Sequence, residues 1–165
     1  IDTGNILYSD KVLIREDETA GELHDDLMQT GARLLLKTVQ AIAAGNIKEI
    51  PQADIPADTI KHAPKIFKDT CRINWQQPLD NIYNLVRGLS PYPAAWTVFQ
   101  GKNLKIYKAR KVHAAPAHAP GDVDTDQKTY VKIAAPDGYL YLDEVQLEGK
   151  KKMDIEAFLR GYRIV

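Results

Sequence analysis

Residues 95–112 read AWTVFQGKNLKIYKARKV. Two β-rich runs, 95–99 and 103–112, flank Gln100-Gly101-Lys102, and a glycine between such runs signals a hairpin. A second pair, 129–134 (TYVKIA) and 139–147 (YLYLDEVQL), flanks Pro136-Asp137-Gly138 in the same way. Upstream of the first hairpin a short helix fits 78–87. Pro78 suits its first position, Leu79, Ile82, Tyr83 and Val86 form one face, and Gly88 suits the residue after the end. A last short helix is predicted at about 154–160, with Asp154 as N-cap and Gly161 as its stop. Residues 113–128, rich in Ala, Pro, Asp and Gly, read as a mobile loop. A β-meander of four to six short strands with peripheral helices is the profile of a small OB-like antiparallel β-barrel, so the expected class is α+β. Such barrels commonly bind oligonucleotides, which is an analogy of fold and not of site.

Toward the N-terminus the pattern changes. Residues 5–14 (NILYSDKVLI) read as one or two strands with a turn near Ser9-Asp10. Thr19 and Glu22 have the spacing of a capping box. Leu23, Leu27, Leu34, Leu35, Val39 and Ile42 then recur at helical spacing until Gly45-Asn46, a stripe read as core. Pro51, Pro56 and Pro64 interrupt an aperiodic linker, 46–64. The division expected is 1–45, a linker at 46–64, and a barrel domain over 65–165.

The formal charge is zero, yet it is unevenly spread. Residues 1–45 hold four Lys/Arg and eight Asp/Glu, a net of −4. Residues 61–112 hold ten Lys/Arg against Asp69 and Asp80, a net of +8, while 46–60 and 113–165 each come to −2. An excess of that size is a candidate polyanion footprint. Apolar residues at 44% and charged residues at 27% suit a folded chain. No run of apolar residues is long enough for a transmembrane helix. Residues 1–4 have neither a basic start nor an apolar stretch, so no signal peptide is expected, and the missing initiator Met points to a cut or processed chain. Cys71 is the single cysteine, which excludes an internal disulfide and suits a reducing cytosol.

No metal site is expected, because His24, His62, His113 and His118 are scattered and Cys71 has no Cys-x-x-Cys partner. No Gly-rich phosphate loop or Gly-x-Ser-x-Gly elbow occurs. Asp2 precedes a glycine turn, and read locally it is a turn residue as much as a chemical group.

Several segments together resemble one family, the methionyl-tRNA formyltransferases. Ile1-Asp2-Thr3-Gly4-Asn5-Ile6-Leu7 resembles the family's Leu-Asp-Thr-Gly-Asp-Ile-Leu signature, and Thr19-Ala20-Gly21-Glu22-Leu23-His24 the start of the last catalytic-domain helix. His62-Ala63-Pro64-Lys65-Ile66 and Arg72-Ile73-Asn74-Trp75 resemble its linker. Residues 82–93 (IYNLVRGLSPYP) and Gln146-Leu147-Glu148-Gly149-Lys150-Lys151-Lys152-Met153, closed by Phe158-Leu159-Arg160-Gly161, resemble its C-terminal domain. Asn5, Asn74, His62 and the 113–128 loop depart from the pattern.

The resemblance implies a strand-helix remnant of an α/β formyltransferase domain at 1–45, ahead of the OB-like domain. It implies transfer of a formyl group from 10-formyltetrahydrofolate to the amino group of initiator methionyl-tRNA in the cytoplasm. Asp2 matches the family's catalytic Asp; the Asn and His that act with it belong upstream of residue 1, so this piece is expected to hold tRNA without formylating it. The tRNA-contacting candidates are Lys65, Lys68, Arg72, Arg87, Lys105, Lys108, Arg110, Lys150, Lys151 and Lys152. Strand alternation places Lys108 and Arg110 on one face and Lys105, Tyr107 and Ala109 on the other. Trp75, Tyr92 and Trp96 offer stacking surfaces, with barrel packing the preferred role for Tyr92 and Trp96. Self-association through the 19–45 helix is a further expectation. The alternatives are a related sugar-nucleotide or folate formyl-processing enzyme, and a non-catalytic RNA-binding module.

Overall fold

The turn at Gln100-Gly101 closes as its residues require. Both take positive φ, 46° and 76°, the backbone of a two-residue hairpin turn that matches strand twist. It joins β1 (Ala95–Phe99) to β2 (Lys102–His113), with Phe99 opposite Lys102 and Ala95 opposite Ile106. The remaining strands are β3 (Val123–Thr125), β4 (Val131–Ala135), β5 (Gly138–Leu147) and β6 (Met153–Asp154). They form one antiparallel sheet in the order β1-β2-β5-β4-β3, with β6 on β5. The helices are α1 (Ala20–Ala43), α2 (Leu79–Leu89) and α3 (Ile155–Gly161). The computed structural model describes residues 4–52 and 61–164. The sheet curls into an OB-like half-barrel, and the class is α+β.

The chain divides into two units, one of residues 1–16 and 22–65, the other of 17–21 and 66–165. In the second unit the inward residues of the sheet, among them Leu104, Ile106, Ile133, Leu140 and Leu147, are fully buried. Leu79, Ile82, Tyr83 and Val86 of α2 join this core, and so do Ile155, Phe158 and Leu159 of α3. Burying a side chain of that size contributes roughly 1.5–3 kcal/mol.

Helix ends show how distant residues finish local signals. Pro78 stands at the N-cap of α2 rather than inside it, and offers no side-chain cap. Asp137, from the turn between β4 and β5, accepts the Leu79 N–H at 2.7 Å instead. Helix α2 runs two residues past the predicted end and takes in Gly88. Asp154 caps α3 as expected, accepting from Ala157 N at 2.7 Å, but Gly161 lies within that helix.

Three expectations need correction. Residues 113–128 are not a free loop: β3 lies within them and pairs with β4. Gly121 N–H donates to Ala134 O, and Ala117 N–H to the Tyr139 hydroxyl. Asp126 accepts the N–H groups of Lys128, Thr129 and Tyr130. The composition suggested mobility because these bonds go to partners no periodicity reveals. Residues 5–14 form no strand; Ile6 makes an isolated two-bond bridge to Ile50, at 2.8 and 2.9 Å, without a ladder to extend it. Helix α1 starts directly after Thr19 and ends at Ala43, two residues before the left-handed Gly45, yet no residue of it is buried. Leu27, Leu35, Val39 and Ile42 are all more than half exposed, so the stripe is not core among the described residues. None of the described helices is long and apolar enough to cross a membrane.

Candidate nucleic-acid interface

The outward face of β2 is decided by a paired irregularity. Ile106 faces Val145 and Ala109 faces Leu142, while between them Lys108 is matched to Glu144 out of step. On β2 the buried positions run Leu104, Ile106, then Ala109; on β5 they run Leu147, Val145, then Leu142. Both strands therefore shift phase by one residue at the same point, as bulges allow. The expected alternation fails here. Lys105, Tyr107, Lys108 and Arg110 all lie off the core side, and only Ala109 faces inward.

Acids of β3 and β5 answer Arg110 and two further cations, Lys132 and Lys152. Arg110 pairs with Asp143 at 3.0 Å and stacks over Tyr141. Lys152 pairs with Glu144 at 2.8 Å and lies over Tyr107. Lys132, on β4, pairs with Asp124 at 3.0 Å with its ammonium 4.4 Å from the Tyr139 ring. Tyr130 and Tyr141 flank the same ammonium. The hydrogen bond from Lys132 to Asp124 raises the Lys132 pKa and lowers that of Asp124. Within residues 61–112 Arg110 is answered by Asp143 and Lys111 by Asp80, so not every cation behind the net of +8 is available.

The other candidates divide as follows. Arg87 donates to Asn84 and to the Glu18 carbonyl, so it holds residues 17–21 against α2. Tyr83 to Asp17 and Gly21 N–H to Ser90 O complete that clasp. Lys150 and Lys151 are exposed at the turn between β5 and β6. Lys68 and Arg72 lie over the Trp96 ring at 5.8 and 5.7 Å, and Lys105 donates to the Pro93 carbonyl. None of these last five has an ion pair among the described residues, and the same holds for Lys108. Lys65 lies in the first unit and keeps an interaction of its own. Asp2 lies outside the described residues.

At one end of this face a groove of about 840 Å³ opens between the 66–72 segment, residues 92–94, and strands β1, β2 and β5. Phe67 and Tyr92 stand at it 59% and 86% exposed, so Tyr92 is no packing residue. The Ser90–Pro91 and Tyr92–Pro93 bonds on either side are cis. Trp96 does pack, donating its ring N–H to Lys68 O, and Trp75 is tied to Thr97. Phe67 escaped sequence reasoning because it sits in a Pro-interrupted segment without period. Among the described residues no group of three or more His, Cys, Asp or Glu could hold a metal ion.

The formyl transferase C-terminal domain model matches residues 65–163. The chain belongs to this family. The match takes in the whole sheet, α2, α3 and the groove. Proteins named methionyl-tRNA formyltransferase align across nearly the entire chain. Those of Phocaeicola vulgatus and Parabacteroides distasonis are 45% and 46% identical over 170 residues, covering 99% of this chain and 52% of each relative. That of Clostridium acetobutylicum is 40% identical over 164 residues, with the same coverage. The chain spans about half the length of these relatives, corresponding to their C-terminal part. Among solved structures, HypX from Aquifex aeolicus superposes with a TM-score of 0.70 at 19% identity, over 96% of this chain and 28% of HypX. The sugar 3N-formyl transferase WlaRD superposes at 0.56 and 20% identity, over 92% and 52%. These two share the fold of this formyl transferase C-terminal domain.

Proposed function

We propose that the chain is the tRNA-holding, C-terminal part of a cytoplasmic methionyl-tRNA formyltransferase. The whole protein moves the formyl group of 10-formyltetrahydrofolate to the α-amino group of initiator methionyl-tRNA. The amine attacks the formyl carbon, a tetrahedral oxyanion forms, the bond from that carbon to N10 of the folate breaks, and the proton the amine loses is balanced by the one N10 gains as tetrahydrofolate leaves. The observation that carries this reading is 39–46% identity, across 99% of the chain, to proteins of that name. A folate-type co-substrate fits two structural neighbours, described with tetrahydrofolic acid and with 5-N-formyl-THF.

Within this division of labour Asp2 belongs to the chemistry, by its match to the family's catalytic Asp, and residues 65–165 belong to tRNA. Lys68, Arg72, Lys105, Lys108, Lys150 and Lys151 hold phosphates, because no carboxylate among the described residues competes for them. Arg110 and Lys152 contribute less, being paired already. Arg87 serves the clasp on residues 17–21. Phosphate contacts of this kind position the acceptor end without reading sequence. The exposed stripe of α1 is a surface for another subunit or domain.

Filter binding of initiator tRNA to the 165-residue chain tests the tRNA reading. We expect affinity that falls steeply with salt, weak preference over elongator tRNA, and no formylation when 10-formyltetrahydrofolate and methionyl-tRNA are supplied. Salt-independent binding would remove the phosphate-holding role, and measurable turnover would remove the division of labour.

A further inference from the structure

Two cations without an ion pair among the described residues, Lys68 and Lys105, line the same groove as the exposed rings of Phe67 and Tyr92. We infer that this groove is a slot for one unpaired nucleotide of a bound RNA strand, its base against Phe67 and Tyr92 and its phosphate between Lys68 and Lys105. The inference rests on the tRNA reading above and sharpens it.

Volume comes first. At about 840 Å³ the groove is in the size range of small-ligand clefts. Its floor is apolar, with Cys71, Ala94 and Leu147 all buried. Exposed rings beside an apolar floor give up little hydration when a flat base covers them. Stacking of that kind is worth ~1–3 kcal/mol per base and tolerates any base. In a paired stem both faces of each base are already stacked, so only an unpaired nucleotide can take this position.

Charge comes second. Along the sheet face Arg110, Lys132 and Lys152 each have a carboxylate partner. At the groove Lys68 and Lys105 have none among the described residues, nor has Arg72, which lies over the Trp96 ring. Part of the positive charge left for phosphate therefore lies beside the aromatic rings. Glu148 is the single carboxylate lining the groove, and it accepts the Asn103 N–H at 3.0 Å. Hydrogen-bonding capacity comes third. Gln146 is committed, accepting from Tyr107 and donating to Lys150 O. The Asn103 side-chain amide makes no hydrogen bond among the described residues, so a donor and an acceptor remain for a base edge. Lys105 and Gln146 line the groove and also belong to the outward face of β2 and β5, so a backbone held along that face runs directly into it.

The test measures fluorescence anisotropy of a labelled single-stranded tetra-adenylate and of a blunt RNA hairpin, with the whole 165-residue chain. Inorganic phosphate serves as competitor. Phe67 and Tyr92 are exposed, so F67A/Y92A should fold as the parent does, which circular dichroism checks. We expect saturable tetra-adenylate binding that weakens tenfold or more in F67A/Y92A and returns in Y92F with Phe67 intact. Hairpin affinity should be unchanged in the same variants. Tetra-adenylate affinity that survives the double truncation, or that inorganic phosphate abolishes at equal phosphate concentration, overturns the slot. If the parent binds the hairpin and tRNA but no tetra-adenylate, the slot alone fails. If it binds no RNA at all, the tRNA reading fails with it.

Discussion

Replacing Lys108 and Arg110 one at a time distinguishes an available cation from one already paired, although they lie two residues apart. A protein that neutralises Z phosphates of a duplex shows log K falling with log salt at a slope of about −0.9Z. Six of the ten cations proposed for tRNA have no ion pair among the described residues: Lys68, Arg72, Lys105, Lys108, Lys150 and Lys151. Six contacts give a slope of about −5, and an affinity loss of about 10³ between 50 and 200 mM salt. A count of the +8 excess along residues 61–112 would give a slope near −7. Lys108→Ala should reduce the slope by about 0.9, the share of one phosphate. Arg110→Ala should change it far less, because a phosphate must displace Asp143, 3.0 Å away. The pair is exposed on the arginine side and holds weakly, so removing its acid frees a working cation. Asp143→Ala should therefore steepen the slope by about 0.9 and tighten binding at low salt. Filter binding at five salt concentrations measures all three. Equal effects of the two cation replacements, or a weaker complex in Asp143→Ala, would refute the reasoning.

Three further outcomes concern stability. A Cβ built on Gly138 would meet Val112 O at 2.4 Å and Leu79 Cδ2 at 2.7 Å, so Gly138→Ala should cost about 1–3 kcal/mol, seen as a lower urea midpoint; an unchanged midpoint would mean the β2–β5 corner yields freely. Lys132→Met leaves Asp124 with the Tyr130 hydroxyl but without its ammonium partner and should cost about 1–3 kcal/mol in thermal unfolding, with partial recovery in Lys132→Arg. The hydrogen bond from Lys111 holds the Asp80 carboxyl below its ordinary range, and Thr129 and neighbouring N–H groups do the same for Asp126. Both stay ionised when folded at a pH where the unfolded chain takes up protons. Their contribution is complete at neutral pH and is lost as pH falls below about 4. Denaturant melts at pH 7 and pH 3 should show that loss, and Asp80→Asn with Asp126→Asn should shrink the difference between them.

Wherever a signal is carried by residues within a few positions of one another, it was legible before any coordinates. The hairpin at Gln100-Gly101, the buried face of α2, the Asp154 cap and the collinear family motifs are all of this kind. They depend on φ preference, on the 3.6-residue repeat and on short-range hydrogen bonds, which neighbours in the chain decide. The boundaries that moved were those finished from far away, as when Asp137 rather than Pro78 caps α2. The 113–128 segment was misread because its hydrogen bonds go to Tyr139 and Ala134, across the sheet.

The basic stretch that suggested a polyanion partner was plain in the sequence, but the identity of its working cations was not. Arg110 meets Asp143 across 33 positions, and Arg87 meets Glu18 across 69. Strand pairing and helix docking bring such groups together, and Coulomb interactions act through space rather than along the chain. For the same reason the paired irregularity of β2 and β5, which gathers Lys105, Lys108 and Arg110 off the core side, requires both strands to be seen at once. Chain-local chemistry therefore sufficed for the first hairpin, α2, the cap of α3 and the family, while β3, the availability of each charge and the groove at Tyr92 exist only in the folded sheet.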